Sequence, residues 1–254
     1  MGGGERYVYG ITRSGSAAPV TVDGVEGRPV ERIERGPVAA LVSGAPEGPV
    51  KASRRNLLAH TEVLQAVVAS ECVLPMRFGV VMPGEAAVAD ELLAAHEAQL
   101  VEQLETFDGR VELDLKVICP EEVLLRMIVA ERPELVELRE GIRGQPADAT
   151  YFEQIRLGEL VAAAVEMKRA ALLKHTLGRL ESLALSTAVG EPAHEHMLVN
   201  VAFLVDRDEV PRFDEQVQAL AREFVEDTRC KYVGPLPPFH FVETAAERGS
   251  AAWA

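Results

Sequence analysis

The chain has 254 residues, 48% of them hydrophobic and 26% charged, enough to bury most of its apolar surface in one large domain or two small ones. Its 26 Lys and Arg against 40 Asp and Glu give a formal net charge of −14, which argues against nucleic acid as a partner because phosphate neutralisation needs clustered cations. Three widely spaced cysteines, Cys72, Cys119 and Cys230, contain no CxxC pair and support neither a disulfide framework nor a zinc ribbon.

Met1-Gly2-Gly3-Gly4 lacks the basic and apolar pattern of a secretory leader, and no apolar run approaches the ~20 residues that cross a bilayer. A cytoplasmic protein without membrane insertion is expected. Arg6 to Thr12 is rich in β-formers and reads as a first strand. A small polar loop follows from Ser14 to Pro19. Val30 to Ile33 and Val38 to Val42 read as further strands about the Gly36-Pro37 turn, and Ala45 to Pro49 as a loop. Ser53 caps a helix whose buried face carries Leu57, His60, Leu64, Val67 and Val68. That helix feeds directly into Val73 to Gly79. A second helix carries Val88, Leu92, Ala95, Leu100, Leu104 and Phe107 until Asp108-Gly109 ends it.

In the second half Val111, Leu113, Leu115 and Val117 alternate with Glu112, Asp114 and Lys116, a strand with one buried and one wet face. Pro120-Glu121-Glu122 opens a helix, Arg132-Pro133 interrupts it, and Gly141 to Pro146 loops. A long helix from about Thr150 to Ser182 carries Phe152, Ile155, Val161, Val165, Leu173, Leu177 and Leu180. Leu183 to Val189 and His196 to Val205 read as strands about Gly190-Glu191-Pro192. Asp208 caps a helix with Phe213, Val217, Leu220 and Phe224 on its buried face, and Arg229 to Val233 is the last strand. Strand, helices, strand, strand, helix, strand is the split βαβ order. The expectation is an α+β protein of two domains: a modified ferredoxin-like domain over 1–108, a ferredoxin-like domain with a long helical insert over 109–242, and a flexible tail over 243–254.

Motifs that carry chemistry are scarce. There is no GxxxxGK[ST], no strand-to-helix GxGxxG and no GxSxG. His194-Glu195-His196 offers two histidines at a turn without a third ligand at a recognisable spacing. His60, inside an apolar stripe, reads as a packed and hydrogen-bonded histidine. No catalytic residue, cofactor or metal is expected. Two stretches remain: Val73-Leu74-Pro75-Met76-Arg77-Phe78-Gly79, and Gly234-Pro235-Leu236-Pro237-Pro238-Phe239-His240-Phe241. Each reads either as a structural feature, a strand-end corner and a segment clamped over the core, or as a protein-recognition surface built from prolines and aromatics.

Those two stretches, with Tyr7-Val8-Tyr9-Gly10-Ile11, Asn56-Leu57, His60, Val63, Tyr151-Phe152, Gly158-Glu159 and Asn200 to Val205, resemble the GvpF/GvpL family of gas vesicle proteins from about Glu5 to Val242. The resemblance implies two ferredoxin-like α+β domains and a non-enzymatic accessory role in building gas vesicles. Its implied partners are the hydrophobic shell subunit GvpA and other vesicle proteins, with a place on the vesicle and in the cytoplasm. The candidate partner-binding residues are Leu74, Pro75, Met76, Arg77, Phe78 and Gly79, with Pro235, Leu236, Pro237, Pro238, Phe239 and Phe241. A minor component of the finished shell, and a ligand-sensing or enzymatic ferredoxin-like protein, are the competing readings.

Overall fold

The computed structural model describes residues 4–16, 20–146, 149–224 and 228–242. The tail expected from Glu243 and the end of the Ser14 to Pro19 loop lie outside the described residues. The protein is α+β with two antiparallel sheets. The chain divides into two compact units. The first takes the residues up to Leu113, Leu204–Arg207 and the segment from Gly234 onward; the second takes Asp114–Phe203 and Asp208–Val233.

In the first unit, strand β1 (Arg6–Arg13) is central. It pairs antiparallel with β3 (Val38–Gly44), which pairs outward with β2 (Glu31–Arg35). On its other side β1 takes two short strands, β4 (Leu74–Pro75) and β5 (Val81–Met82). Strands β1 and β3 are buried over almost their whole length and read as apolar runs, the pattern of a sheet covered on both faces. Helix α1 (Arg54–Val68) lies on the side of Tyr7, whose hydroxyl meets His60. On the other side Val8, Ile11, Val38 and Ala40 share a core with Leu92, Leu93, Leu100 and Leu104. A register shift between Val8 and Gly10 interrupts the alternation of β1, so Tyr9, stacked on His60, and the Cα–H face of Gly10 both turn toward α1.

Ser53 caps α1, its side chain accepting from the Asn56 amide at 3.2 Å. Leu57, expected inside, is 42% exposed. His60, Leu64, Val67 and Val68 are buried as expected, joined by Val63 and, in place of Leu57, by Asn56, whose side chain donates to the Lys51 carbonyl at 3.0 Å. The second expected helix is in three parts: α2 (Glu85–Ala87), a π-helical stretch (Val88–Ala94) and α3 (Glu97–Thr106). The wider π turn adds a residue, so Leu92 and Leu93 are both buried while Ala95 is exposed.

The second unit is built on β6 (Arg110–Ile118), β7 (Ser186–Val189), β8 (Met197–Asp206) and β9 (Arg229–Leu236), in the order β7-β8-β6-β9. Arg132-Pro133 divides α4 (Glu121–Glu131) from α5 (Pro133–Ile142), as its missing amide requires. Helix α6 (Tyr151–Leu180) buries only Ala164, Thr176 and Leu180. Phe152 and Ile155, placed by periodicity on its apolar stripe, are 79% and 43% exposed because nothing among the described residues packs against the first turns of the helix on that side. Leu183 ends a 3-10 turn instead of starting a strand. Asp208 does not cap α7 (Val210–Ala221); a 3-10 turn intervenes and the helix starts without a side-chain cap. Phe213, Val217 and Leu220 are buried as expected, whereas Phe224 lies beyond the end of the helix, half-buried.

Gly10 sits where β1 and the chain entering β4 come close together. A Cβ there would stand 2.8 Å from both the Leu74 carbonyl oxygen and Val73 Cγ2. Gly10→Ala is therefore expected to lower stability by about 1–3 kcal/mol, the usual cost of overpacking. A lower denaturant midpoint at unchanged slope checks it; an unchanged midpoint refutes it.

Candidate functional site

The first candidate stretch is a corner held from inside. Leu74 and Pro75 pair with Ile11 and Gly10 on β1, and the Met76 amide donates to the Tyr9 carbonyl at 2.9 Å. Leu74 is buried, and Met76 packs half-buried against the same core. Phe78 turns inward too, its ring edge-on to Tyr7 at 6.0 Å and to His60 at 5.8 Å between centroids. Only Arg77 and Gly79 are exposed. Gly79 has φ +93°, a conformation that favours glycine, and its amide donates to Tyr7 Oη at 3.1 Å.

Donor and acceptor roles in this cluster follow from chemistry. The Met76 carbonyl can only accept, so His60 Nε2, 3.1 Å away, carries the proton. Nδ1 is then the acceptor for the Tyr7 hydroxyl at 2.9 Å. The chain runs from the Gly79 amide through Tyr7 to His60 and on to Met76, and requires a neutral imidazole. Burial pushes the His60 pKa down to about 4, with the bond to the Met76 carbonyl opposing it. Burial pushes the Tyr7 and Tyr9 phenols up. Tyr9 is satisfied as well: its hydroxyl accepts from the Val25 amide at 2.8 Å and meets Ser43 Oγ at 2.9 Å.

The second stretch is a strap. Gly234 fits against β6 only without a side chain, since a Cβ would stand 2.4 Å from Leu113 Cδ2. Leu236, Pro237 and Pro238 are buried, Phe241 is half-buried on the core of the first unit, and Pro235 and Phe239 are exposed. The clamp is Glu112, expected on the wet face of β6 but fully buried. Its carboxylate accepts from the His240 amide at 2.8 Å and from His240 Nδ1 at 2.7 Å. Strand alternation predicts which way Glu112 points and says nothing of what covers it.

Arg169 fixes the His194 to His196 turn by donating to the carbonyls of Glu195 and Met197. No third His, Cys, Asp or Glu closes a ligand group with those two histidines among the described residues. All three cysteines are free thiols, and burial raises the pKa of Cys72 to about 11. A groove of about 730 Å³ between α4, α5 and α6 is lined by Leu125, Ile142, Leu157 and Val161 with Arg139 and Glu140 at its edge.

The family model described as gas vesicle synthesis protein GvpL/GvpF matches residues 5–243. The chain belongs to that family. It is 37% identical over 240 residues to gas vesicle protein F of Streptomyces sp. (strain CB03234), covering 93% of this chain and 99% of the relative. It is 25% identical to gas vesicle protein F of Microcystis aeruginosa (strain PCC 7806), with 93% and 97% covered. Two crystal structures are similar in fold, each with a TM-score of 0.77. They are GvpF from Anabaena sp. PCC7120, at 28% identity with 95% of this chain and 99% of that one covered, and GvpF from Microcystis aeruginosa, at 24% identity with 94% and 99% covered.

In this GvpL/GvpF chain the twelve candidate residues thus fall into three groups. Arg77, Gly79, Pro235 and Phe239 face solvent, while Leu74, Leu236, Pro237 and Pro238 are buried and Pro75, Met76, Phe78 and Phe241 lie between. Neither Tyr7 nor Glu112 stands out for these roles in the sequence. A glutamate flanked by Val111 and Leu113 on a strand looks solvated until its partner, 128 positions away, is known.

The pH dependence follows from His60. The unfolded chain takes up the proton near pH 6.5, well before the folded one near 4, so the unfolded state gains first as pH falls. The His60 contribution to stability is expected to decline from about pH 6.5 to about pH 4, by at most about 1.4 kcal/mol per pH unit and about 3 kcal/mol in all, and to change no further below. His60→Gln keeps one donor and one acceptor but does not titrate, so its denaturation midpoints should lose that part of the slope; an identical slope refutes the assignment. Glu112→Ala leaves both His240 donors without their carboxylate, at a cost of about 1.5–3 kcal/mol. Faster hydrogen exchange at the amides of His240 and Phe241 is the readout.

Proposed function

We propose that this chain is a non-enzymatic accessory protein of gas vesicle assembly that binds the shell subunit GvpA and other vesicle proteins, in the cytoplasm and on the forming vesicle. The observation that carries this reading is the Arg77-Phe78 tip. A fully satisfied buried network fixes it while Arg77 is left facing solvent. A rigid tip costs little ordering on binding. Membership of a family described by gas vesicle synthesis supports the vesicle role.

The physical need is simple. A shell subunit that must stay dispersed before assembly exposes apolar surface and aggregates. A partner of net charge −14 that covers such surface keeps the complex dissolved. The strand order β7-β8-β6-β9, with helices between β6 and β7 and between β8 and β9, further supports a ferredoxin-like reading of the second unit. Contacts come from the exposed members of the two stretches, Arg77 with the edge of Phe78, and Phe239.

Arg77→Ala with Phe78→Ala is expected to weaken binding to the purified shell subunit at least about tenfold, as loss of a central Arg and aromatic pair does at interfaces. Circular dichroism establishes that the variant is folded. Unchanged affinity in a folded variant overturns the contact role of this tip.

A further inference from the structure

Two segments of the first unit reverse the charge of the rest of the chain. Between Gly48 and Thr61 the ionisable side chains are Lys51, Arg54, Arg55 and His60, and between Cys72 and Gly84 the only charged one is Arg77. Neither segment holds a carboxylate, in a chain with 40 of them. The fold brings the two together, because His60 on α1 meets the Met76 carbonyl at 3.1 Å and the Phe78 ring at 5.8 Å. Lys51, Arg54, Arg55 and Arg77 are all exposed, and none is in an ion pair with the described residues. Arg54 and Arg55 stand in the first turn of α1, where the helix dipole disfavours cations and no acid offsets them. Local helix chemistry argues against these arginines, which points to a use outside the helix.

Beside them lie two apolar side chains with nothing over them. Leu57 and Leu58 are 42% and 49% exposed, one turn along from Arg54 and Arg55. The acids that flank the two segments in sequence are Glu47, Glu62, Glu71 and Glu85, and Glu26 stands on the 3-10 turn Val25–Gly27 that packs on the helix. Glu71 pairs with Arg32 and Glu85 with Arg6, while Glu26, Glu47 and Glu62 are exposed and none of them pairs with the four cations.

We propose that the first two turns of α1 and the Arg77 tip form one docking surface for an acidic amphipathic helix of a protein partner. Leu57 and Leu58 receive its apolar stripe, while Lys51, Arg54, Arg55 and Arg77 meet carboxylates flanking that stripe. Charge complementarity sets the occupant: within an overall negative field this cationic island orients a short acidic segment and disfavours a basic one. An extended polyanion is the poorer fit, because a nucleic acid or an anionic membrane meets the repulsion of the whole chain as well as the attraction of four cations. The surface shares Arg77 with the shell-subunit tip but does not rest on that reading, since a chain that fails to bind that subunit can still bind an acidic helix here.

The test uses the full chain and a helical peptide of about 20 residues, about 30 Å long, with a leucine stripe flanked by glutamates. A second peptide replaces those glutamates by lysines. Vesicles containing about one-third phosphatidylserine form a third arm. Two variants, Arg54→Glu/Arg55→Glu/Arg77→Glu and Leu57→Ser/Leu58→Ser, alter exposed positions only, and their thermal melts are compared with that of the unaltered chain. By fluorescence anisotropy at about 50 mM salt, the glutamate peptide is expected to bind with an affinity that falls as salt rises. Each variant should bind it at least about tenfold more weakly, and the lysine peptide should bind the unaltered chain at least about tenfold more weakly. Equal binding of the two peptides, undiminished binding by the folded charge-reversed variant, or binding of the vesicles in preference to the glutamate peptide would each overturn the proposal.

Discussion

One hydrogen-bonded path underlies the first unit. It links the Gly79 amide, the Tyr7 hydroxyl, the His60 ring and the Met76 carbonyl, and so ties β1, α1 and the corner after α1 into one body. Each group in it is used in the only sense that leaves none unmet, and that requires an uncharged imidazole. Burial favours the neutral ring and makes the path costly to break. Two glycines complete it. Gly10 lets β4 come within reach of β1, and Gly79 takes the positive φ that aims its amide at Tyr7. With Leu74, Met76 and Phe78 drawn inward by this arrangement, Arg77 has only solvent to face.

The strap obeys the same logic with a charged acceptor. Glu112 is buried and can only accept, and the His240 amide and ring nitrogen arrive as donors from the far end of the chain. Three prolines limit the conformations open to Gly234 to Phe241, and Gly234 lets it lie against β6. Most of its apolar groups are spent on the core, and Phe239 is the large one left outside. Both stretches are therefore scaffold first, and each offers a small exposed remainder on a rigid base. That is a suitable form for recognition, because little freedom is lost when a partner binds.

Three helical regions show where sequence pattern misleads. In α6, alternate apolar positions continue past the part of the helix that has anything to pack against, so Phe152 and Ile155 follow the stripe and remain exposed. Before α3, a π turn shifts the phase and removes Ala95 from the buried side. Asp208 and Phe224 fail for a related reason: the 3-10 turn Arg207–Glu209 moves the start of α7 beyond the expected cap, and the helix stops at Ala221. Stripe arguments find an element and its core-facing positions; they do not find its ends.

The amino-acid sequence by itself determined the α+β class, most strands, the break at Arg132-Pro133, the Ser53 cap and the family, because these rest on local periodicity, proline and capping chemistry, or on matching residues along the chain. It also showed His60 as a packed, hydrogen-bonded histidine. Only the tertiary structure decided that Tyr7 is the partner of His60, that Glu112 is buried beneath His240, and that His60 of α1 meets the Met76 carbonyl beside Arg77. Those pairs are separated by 53, 128 and 16 positions, so no local pattern announces them. A hydrogen bond or a charge patch depends on which atoms meet, and chain folding sets that after local structure has been chosen.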